Sequence, residues 1–452
     1  MSAESPLSVI DSLMPWTYVR QILYFPSIDP QIPQTLRNAL IRTLDDVPDL
    51  AKRIYQRKHP KGGLSMVGPL DSIDDIFSWQ DLSEAIDYSK LQADNYPSPD
   101  PSAALFVPPE TRPPLTERPP VFRALVTLVK GGFLLCVAVH HCTTDITGFG
   151  TILKLWATNC RTGSLKSIGF APEWLDRTAL KTNPKSLVDF PSQLHIRTRE
   201  EKLKLQAGRA NAAFEMVMFR IPQNNLRKLK LEASQNLDSH GVQWLTTNDV
   251  LAALLWSAIV KAEASSGLQE PAVSMSTIGI PVNFRAMLHP TVPKDYIGSA
   301  IGKTTVTANT SDLLEAADTG SPQSLTPIAA AVRRAVLQVD FSSIRSILSF
   351  LETQDDLTNF QLGPPNEGNS IVSWADEGVY ELHWGDRIGQ CDSVRAQKLN
   401  GKRYPIIFPR LREEPGNALG GGLEVLISLE EDVMARLKQG QLIKKFAIIA
   451  CS

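Results

Sequence analysis

Residues 121–145 read VFRALVTLVKGGFLLCVAVHHCTTD and decide the fold of this chain. Two apolar runs, 121–129 and 133–139, flank the pair Gly131-Gly132. Both glycines tolerate the positive φ of a tight primed turn, so the stretch predicts a β-hairpin. Each strand has so few polar residues that we expect it to be buried on both faces. The second strand therefore leads straight from a core into His140, His141 and Asp145.

A helical pattern follows this polar turn. Apolar residues recur at spacings of three and four, which indicates one face of a helix: Phe149, Ile152, Leu153, Trp156 and Cys160. A buried strand, a short turn and an amphipathic helix would hold a reactive side chain more rigidly than a free loop. A second interpretation stays open at this point, in which His141 is a core or capping histidine and Asp145 is only the N-cap of the helix.

The turn resembles a known family motif. His141-Cys142-Thr143-Thr144-Asp145 is similar to the HxxxD motif of the BAHD acyltransferases. His140 extends it to the HHxxxD form that these enzymes share with the condensation domains of peptide synthetases. The family implies an acyltransferase in which the histidine is the general base.

Length and composition set limits on the class of protein. A chain of 452 residues is expected to form two domains of roughly 200 residues each. A hydrophobic content of 43% and a net charge of −2 describe an ordinary globular protein with no electrostatic reason to bind nucleic acid or an anionic membrane. No run reaches the length of a membrane span, and residues 1–6 do not resemble a secretory signal. We therefore expect a cytoplasmic protein.

The cysteines do not suggest a metal site or a disulfide framework. They are odd in number and lack paired ligand spacing, so free thiols in a reducing cytosol are the simplest expectation: Cys136, Cys142, Cys160, Cys391 and Cys451. We predict no metal site and a monomer.

The polar stretch after the predicted helix divides the chain. We predict an N-terminal domain over residues 1–180, a crossover linker over 181–213 and a C-terminal domain over 214–452, with a segment near 390–408 packing on the N-terminal domain. Four basic residues stand out in the linker: Arg197, Arg199, Lys202 and Lys204. They are expected to form a solvated face, although part of it could meet the phosphates of a nucleotide-bearing donor.

The second half repeats the order of strand and helix. Residues 214–221 predict a strand, 250–260 a buried helix and 278–285 a strand that ends at Arg285. Residues 311–327 are mostly polar and predict a loop, followed by a helix over 328–339. A glycine turn then leads into a strand at Leu423–Leu429 and a last helix near Met434 and Leu437.

Several segments of this half also resemble the family. Thr246 to Trp256 is similar to its "S/T-x-x-D-x-L-x-A-x-x-W" helix, and Val282–Arg285 to its "V-[ND]-x-R" strand end. Ser373-Trp374 and Trp384-Gly385 match the lead-in and the end of the DFGWG signature. The departures from the family pattern are Ile146, Ser299, Glu381, Leu382 and His383.

The N-terminal pattern "L-S-x-x-D-x-x-M-P" looks like that of the fungal trichothecene O-acetyltransferase-like branch: Leu7, Ser8, Asp11, Met14 and Pro15. The resemblance implies an α/β fold of two chloramphenicol-acetyltransferase-like domains. Each would be a mixed sheet flanked by helices, and an interdomain tunnel would reach His141 from both ends.

The resemblance also implies the chemistry. Acyl-CoA would be the co-substrate and a small hydrophobic alcohol the acceptor, in a direct ternary complex with His141 as the base. Asp145 would pair with Arg285 as structural support. Trp384 would line the acyl channel or donate to the oxyanion, although a buried packing tryptophan fits equally well. His140, Ser373 and Gly385 would lie on the substrate side.

Three alternatives remain open from the sequence. The His140-His141 pair favours a condensation-type enzyme that uses carrier-protein thioesters. The eroded DFGWG signature keeps a non-catalytic, ligand-binding relative possible. Cys142 could act as a nucleophile that forms a covalent acyl-enzyme, in place of a direct transfer. It lies next to the base in sequence, however, and is expected to point elsewhere.

Overall fold

The computed structural model describes residues 4–70, 72–100, 104–105, 112–162, 169–184, 188–198, 201, 213–264, 275–363, 370–398, 401, 403–413 and 420–451. The strands in these ranges are β1 (Ser5–Pro6), β2 (Tyr18–Phe25), β3 (Arg53–Gln56), β4 (Leu64–Val67), β5 (Phe77–Asp81), β6 (Phe122–Val129), β7 (Gly132–His140), β8 (Leu194–Ile196), β9 (Phe214–Ile221), β10 (Met275–Asn283), β11 (Ile301–Asn309), β12 (Phe360–Leu362), β13 (Val372–Ser373), β14 (Ser393–Arg395), β15 (Arg403–Ile407), β16 (Leu423–Glu430) and β17 (Ile448–Cys451).

The α-helices in the same ranges are α1 (Val9–Leu13), α2 (Ile32–Asp46), α3 (Tyr88–Ala93), α4 (Ile146–Thr162), α5 (Gln223–Ala233), α6 (Thr247–Ala264), α7 (Thr310–Thr319), α8 (Thr326–Leu337), α9 (Phe341–Glu352), α10 (Glu431–Gln439) and α11 (Gln441–Phe446). None of the helices in the described part of the chain is both long and apolar enough to cross a bilayer.

Two separate five-stranded sheets organise the chain, one in each half. The N-terminal sheet has the order β14-β2-β7-β6-β5 and the C-terminal sheet the order β13-β15-β16-β9-β17. Each sheet is mixed, because β5 runs parallel to β6 and β13 runs parallel to β15 while the other pairs are antiparallel. The predicted class, two α/β domains with mixed sheets and flanking helices, is confirmed.

The predicted hairpin is present as β6 and β7, with Val129 opposite Gly132. Every residue of β7 is buried, as its apolar sequence predicts. The two glycines differ, however. Gly131 has a φ of +86°, as a tight turn requires, whereas Gly132 is already part of the strand. A Cβ at Gly132 would overlap the ring of Tyr88 and lie 2.6 Å from the carbonyl oxygen of Phe25. Gly132 is thus needed for packing rather than for turn geometry.

Helices α2 and α4 cover one face of the N-terminal sheet. The apolar side of α4 is buried as its spacing predicts, with Phe149, Ile152, Leu153 and Trp156 in the core. Trp156 also donates its indole N–H to the carbonyl oxygen of Leu36 in α2 at 2.9 Å. The strand and the helix that flank residues 141–145, called here the histidine turn, are therefore both fixed by burial.

Helix α6 is the centre of the C-terminal core. Residues 249–260 are all buried, in agreement with a sequence that is apolar nearly all round. Thr246 and Asp249 cap the helix, and Arg333 of α8 donates to Asp249 through Nε at 2.8 Å.

Several helices were not predicted from the sequence, among them α7 and α9. Residues 311–327, predicted to be a loop, instead contain α7, which buries Leu313, Ala316 and Ala317 and ends at Gly320 with a φ of +59°. The prediction was wrong because the short apolar face is hidden among polar residues. Helix α9 packs Ile344, Ile347, Leu348 and Leu351 into the same core as Ile10 of α1, and so joins the two halves of the chain.

Strand pairings between distant segments also join the two halves of the chain. Residues 393–395 pair with β2 as the edge of the N-terminal sheet, although in sequence they lie between β13 and β15 of the C-terminal sheet. In the stretch predicted as a linker, β8 pairs with β12, and Arg197 donates to Gln361 at 2.8 Å. Arg199, Lys202 and Lys204 lie outside the described residues. The interdomain tunnel stays a prediction.

We expect Gly132→Ala to lower the free energy of unfolding by about 1–3 kcal/mol, because the added methyl group has no space against Tyr88 and Phe25. The matched control is Gly302→Ala in β11. A Cβ there meets nothing closer than Phe284 Cδ1 at 3.7 Å, so stability should stay within about 0.5 kcal/mol. Urea unfolding of both variants would test this expectation. Equal losses would contradict the packing role of Gly132.

Candidate active site

His141 lies at the point where the buried hairpin ends. Strand β7 stops at His140, and residues His141–Thr143 form a single 3₁₀ turn before α4. The backbone N–H of His141 donates to the carbonyl oxygen of Thr17 at 2.8 Å, which ties the turn to the start of β2. The side chain is partly exposed, unlike that of its neighbour His140. His141 is therefore held by a rigid backbone and remains partly open to solvent.

A single hydrogen bond sets the tautomer of the neutral His141 ring. Its Nδ1 lies 3.0 Å from the carbonyl oxygen of Thr144. A carbonyl oxygen can only accept, so in the neutral ring Nδ1 carries the proton and Nε2 has the free lone pair. This tautomer leaves Nε2 able to accept a proton from a substrate.

Asp145 and Arg285 form a bidentate ion pair between the two halves of the chain. Arg285 Nη1 and Nη2 each lie 2.8 Å from a carboxylate oxygen, and both side chains are almost completely buried. Asp145 also accepts the backbone N–H groups of Gly148 at 3.0 Å and Ala300 at 2.9 Å. Each carboxylate oxygen thus accepts two hydrogen bonds from fixed donors, so Asp145 sits at the start of α4 as a structural anchor.

Residues 296–300, called here the strap, lie against this ion pair. Arg285 donates to the carbonyl oxygens of Tyr296 at 2.9 Å and Gly298 at 2.7 Å. The Thr144 hydroxyl donates to the carbonyl oxygen of Ile297 at 2.6 Å. Backbone groups of the C-terminal half are therefore bound directly to the residue whose carbonyl fixes His141.

A second buried ion pair, Asp11 with Arg177, contacts the histidine turn from another side. Arg177 Nη1 lies 2.6 Å from Asp11, and Nη2 donates to the carbonyl oxygen of Thr143 at 2.9 Å. Asp11 further accepts the backbone N–H of Ser299 at 2.9 Å. Asp11 belongs to the N-terminal pattern noted in the sequence, but no role was assigned to it. Arg177 has no sequence signal that could have found it.

His140 is in a different environment from His141, although the two are adjacent. It is completely buried, lies edge-on to the ring of Tyr18 and has its Nδ1 2.9 Å from Cys142 Sγ. Burial, with a smaller effect from His141, lowers its pKa to about 3. His140 is therefore neutral at physiological pH. Burial also raises the pKa of the Cys142 thiol well above its usual value.

Trp384 and Gly385 are not part of the histidine site. The Trp384 ring packs edge-on against Phe25 at 5.9 Å and against Trp156 at 5.6 Å. Tyr18, at the start of β2, lies opposite His140, whereas Phe25 is seven residues further along, at the other end of the same strand. Seven strand positions correspond to roughly 23 Å, so the indole N–H cannot reach an oxyanion at His141. The structure therefore does not bring Trp384 to His141, and its complete burial fits the alternative of a packing tryptophan. A role in the acyl channel stays a prediction.

The other suggested substrate residues are also held by local contacts. Gly385 has a φ of +92°, and a Cβ there would lie 3.2 Å from the carbonyl oxygen of Cys160 at the end of α4. Ser373 lies in β13 and accepts the N–H of Ala375 at 3.4 Å. His383 accepts the N–H of Gly385 through Nδ1 at 3.2 Å. These contacts shape the loop after β13 rather than the histidine turn, and a substrate contact of Ser373 stays a prediction.

One buried acid was not anticipated from the sequence. Glu377 accepts a hydrogen bond from Gln21 Nε2 on Oε2 at 2.8 Å, while its Oε1 is buried without a hydrogen-bond partner among the described residues. Burial raises its pKa to about 8, against a smaller opposing effect of the Gln21 bond. The residue as a whole keeps some solvent exposure. At neutral pH the carboxyl group is mostly protonated.

Comparisons with known proteins agree with this architecture. The model of a family described as the Transferase family matches residues 2–442. The chain is 23% identical to acyltransferase BOA11 of Botryotinia fuckeliana over 96% of this chain and 95% of that protein. It is 24% identical to O-acetyltransferase ptmV of Penicillium ochrochloron over 96% and 94%. The crystal structure of F. sporotrichioides TRI101 complexed with coenzyme A and T-2 superposes with a TM-score of 0.80, at 21% identity, over 99% of both chains.

We expect the Asp145–Arg285 pair to show strong coupling in a double-mutant cycle. Asp145→Asn or Arg285→Gln alone leaves a buried charge without its partner, a loss on the order of 3–5 kcal/mol. The double variant should be no less stable than either single one. Thermal or urea unfolding of all three would test this, and strictly additive losses would show that the two residues are uncoupled.

We expect Glu377→Gln to remove a pH dependence of stability. A carboxyl group whose pKa is higher in the folded protein than in the unfolded chain binds its proton more tightly when folded. The stability that Glu377 contributes is fully present at a pH below the pKa of its carboxyl group in the unfolded chain. It is lost as the pH rises towards about 8, the pKa of this group in the folded protein. Relative to the variant, the unmodified protein should thus lose about 1.4 kcal/mol per pH unit across this window, at most. Unfolding at pH 5, 6.5 and 8 would test it, with exposed Glu381→Gln as the control. Parallel profiles for all three proteins would contradict it.

Proposed function

Because the chain belongs to the Transferase family, whose model covers residues 2–442, we propose that it transfers an acetyl or other short acyl group from coenzyme A to a hydroxyl group of a small secondary metabolite. The names of its relatives support this reaction, since they include acyltransferases and O-acetyltransferases of fungi. A structural neighbour of the same fold was crystallised with coenzyme A and the small molecule T-2. Both substrates would reach His141 through a channel between the two halves of the chain.

The observation that carries the mechanism is the hydrogen bond between His141 Nδ1 and the Thr144 carbonyl oxygen. In the neutral ring, this bond leaves the lone pair of Nε2 free on a residue that is partly exposed. Nε2 would remove the proton of the acceptor hydroxyl as its oxygen attacks the thioester carbonyl. The tetrahedral intermediate then expels the coenzyme A sulfur, which takes up the proton from Nε2. The products are the ester and free coenzyme A, and the enzyme returns to its starting state.

The surroundings of Asp145 support a structural rather than a catalytic role. Arg285, Gly148 and Ala300 occupy both of its carboxylate oxygens. A carboxylate that is held in this way cannot orient the imidazole directly or accept a proton from it without losing a buried ion pair. The backbone carbonyl of Thr144 takes the orienting position that a carboxylate occupies in a serine protease triad.

A covalent acyl-enzyme on Cys142 is less well supported than direct transfer. The thiol is completely buried, and burial raises its pKa well above the usual value, so the nucleophilic thiolate is scarce. A thioester is already activated, and no additional nucleophile is needed. These two points support the direct ternary-complex mechanism that we propose.

We expect His141→Ala to lower kcat by about two to four orders of magnitude, because the general base is lost, while the melting temperature stays close to that of the unmodified protein. The assay measures free coenzyme A released from acetyl-CoA in the presence of a panel of small alcohols. Cys142→Ala is the matched control and should keep most of its activity.

Each alternative gives a different result in this assay. Retained activity in His141→Ala with loss in Cys142→Ala would replace the base mechanism with an acyl-enzyme. Transfer only from a carrier-protein thioester, with none from acetyl-CoA, would indicate the condensation-type reaction. Binding of an alcohol without any turnover would indicate a non-catalytic relative.

A further inference from the structure

We propose that Asp11 and Arg177 are positioning residues for His141, which hold the turn whose Thr144 carbonyl fixes the imidazole tautomer. The inference rests on the proposed role of His141 as a base and extends it to two residues distant in sequence. Neither residue touches the imidazole. They act through the backbone of residues 143 and 144. Their loss should therefore lower kcat and change the tautomer of His141 without removing a group that touches the substrate.

The geometry shows how the effect reaches the ring. Arg177 Nη2 donates to the Thr143 carbonyl oxygen at 2.9 Å. The Thr143 hydroxyl in turn donates to the carbonyl oxygen of His140 at 2.7 Å, which closes the turn on its strand side. The next carbonyl along the chain is that of Thr144, the acceptor of His141 Nδ1. Arg177 therefore restrains the peptide that directly precedes this acceptor.

The acceptor is held from both sides by buried ion pairs. Residue 143 is bound by Arg177, and residue 145 is bound by Arg285. Both pairs also bind the strap: Asp11 accepts from the N–H of Ser299, and Arg285 donates to Gly298. A bound segment on each side of residue 144 leaves its carbonyl little freedom to turn away.

Gly298 of the strap leaves the space that the Arg177 guanidinium occupies. A Cβ at Gly298 would lie 2.7 Å from Arg177 Nη1 and would also overlap the Tyr296 side chain. Gly298 does not have a positive φ. The glycine is therefore needed here because the Arg177 and Tyr296 side chains approach its backbone closely, and not because of its backbone conformation. The guanidinium, the strap and the turn are thus packed as one unit.

The guanidinium of Arg177 keeps its positive charge when it is buried beside Asp11. Burial by itself disfavours the guanidinium charge, but the Asp11 carboxylate outweighs this effect, so the pKa of Arg177 is raised above its usual value. Asp11 accepts four hydrogen bonds, including those from the backbone and side chain of Ser8.

The chain offers a matched control for the loss of a buried ion pair. Arg333 donates to Asp249 in the C-terminal domain, and its side chain is buried to a similar degree, 10% exposed compared with 11% for Arg177. Within the described part of the chain, the Arg333 side chain contacts Asp249, Thr246 and Trp244, none of which belongs to the histidine turn or the strap. Arg333→Met should therefore reproduce the stability cost of Arg177→Met without its effect on chemistry.

The test compares Arg177→Met, Arg177→Lys and Arg333→Met in the coenzyme A release assay, below the melting temperature of each. We expect Arg177→Met to lower kcat by about 10- to 100-fold, because a misplacement of about 1 Å caused by a mutation away from the reacting groups can cost about 100-fold. The KM for acetyl-CoA should change little, and the apparent pKa of the kcat/KM profile should move by more than about half a unit. Arg177→Lys keeps the charge and should recover part of kcat, whereas Arg333→Met should keep kcat within about twofold of the unmodified enzyme.

A spectroscopic readout covers the case in which Arg177→Met does not fold. The ¹⁵N chemical shifts of the His141 ring, assigned by their loss in His141→Ala, report which nitrogen carries the proton. We expect the Nδ1–H tautomer in the unmodified protein and a mixture of tautomers in Arg177→Lys. An unchanged kcat, pH profile and tautomer in the Arg177 variants would overturn the positioning role while leaving the base mechanism intact. Full activity of His141→Ala would instead overturn the proposed function itself.

Discussion

The bidentate contact between Asp145 and Arg285 is the constraint on which the rest of the site depends. It joins residues 140 positions apart, one at the start of α4 and one just beyond β10. Two charges this deeply buried are tolerable only as a pair, because breaking such a pair costs several kcal/mol. The end of the hairpin and the end of β10 are therefore forced to meet. The histidine turn lies at this meeting point, where one half of the chain can shape the backbone of the other.

The meeting of the two halves explains how adjacent histidines acquire opposite properties. His140 is the last residue of a strand buried on both faces, and burial keeps it neutral at physiological pH. His141 begins the turn, so its ring leaves the core and takes the Thr144 carbonyl as a partner. A histidine that must accept a proton needs solvent access and one free nitrogen, and only the second position provides both. The buried strand thus supplies rigidity, and the turn supplies the solvent access that the proposed base needs.

Local patterns in the sequence predicted the elements well, and contacts between distant segments were harder to predict. The hairpin, α4 and α6 follow from apolar periodicity, and Arg285 was paired with Asp145 only through the family resemblance. Helix α7 was missed because its apolar face covers three residues. Arg177 could not be found, since a single arginine in a short 3₁₀ turn has no periodic or motif signal. Its partner Asp11 lies 166 positions away, and only the tertiary structure brings them together.

The placement of Trp384 shows why a signature can erode without loss of the site. Its ring packs against Trp156 in the second half of α4, and Gly385 lies against the carbonyl of Cys160 near the end of that helix. The ion pair fixes the first turn of α4, so the two motifs hold opposite ends of one helix. Packing of this kind requires a large ring at position 384 and a residue without a Cβ at position 385. The chain keeps both as Trp384 and Gly385. The changed residues 381–383 precede them in the loop, and none of the contacts that hold the histidine turn passes through their side chains. Erosion of the signature there is consequently compatible with an intact acyl-transfer site.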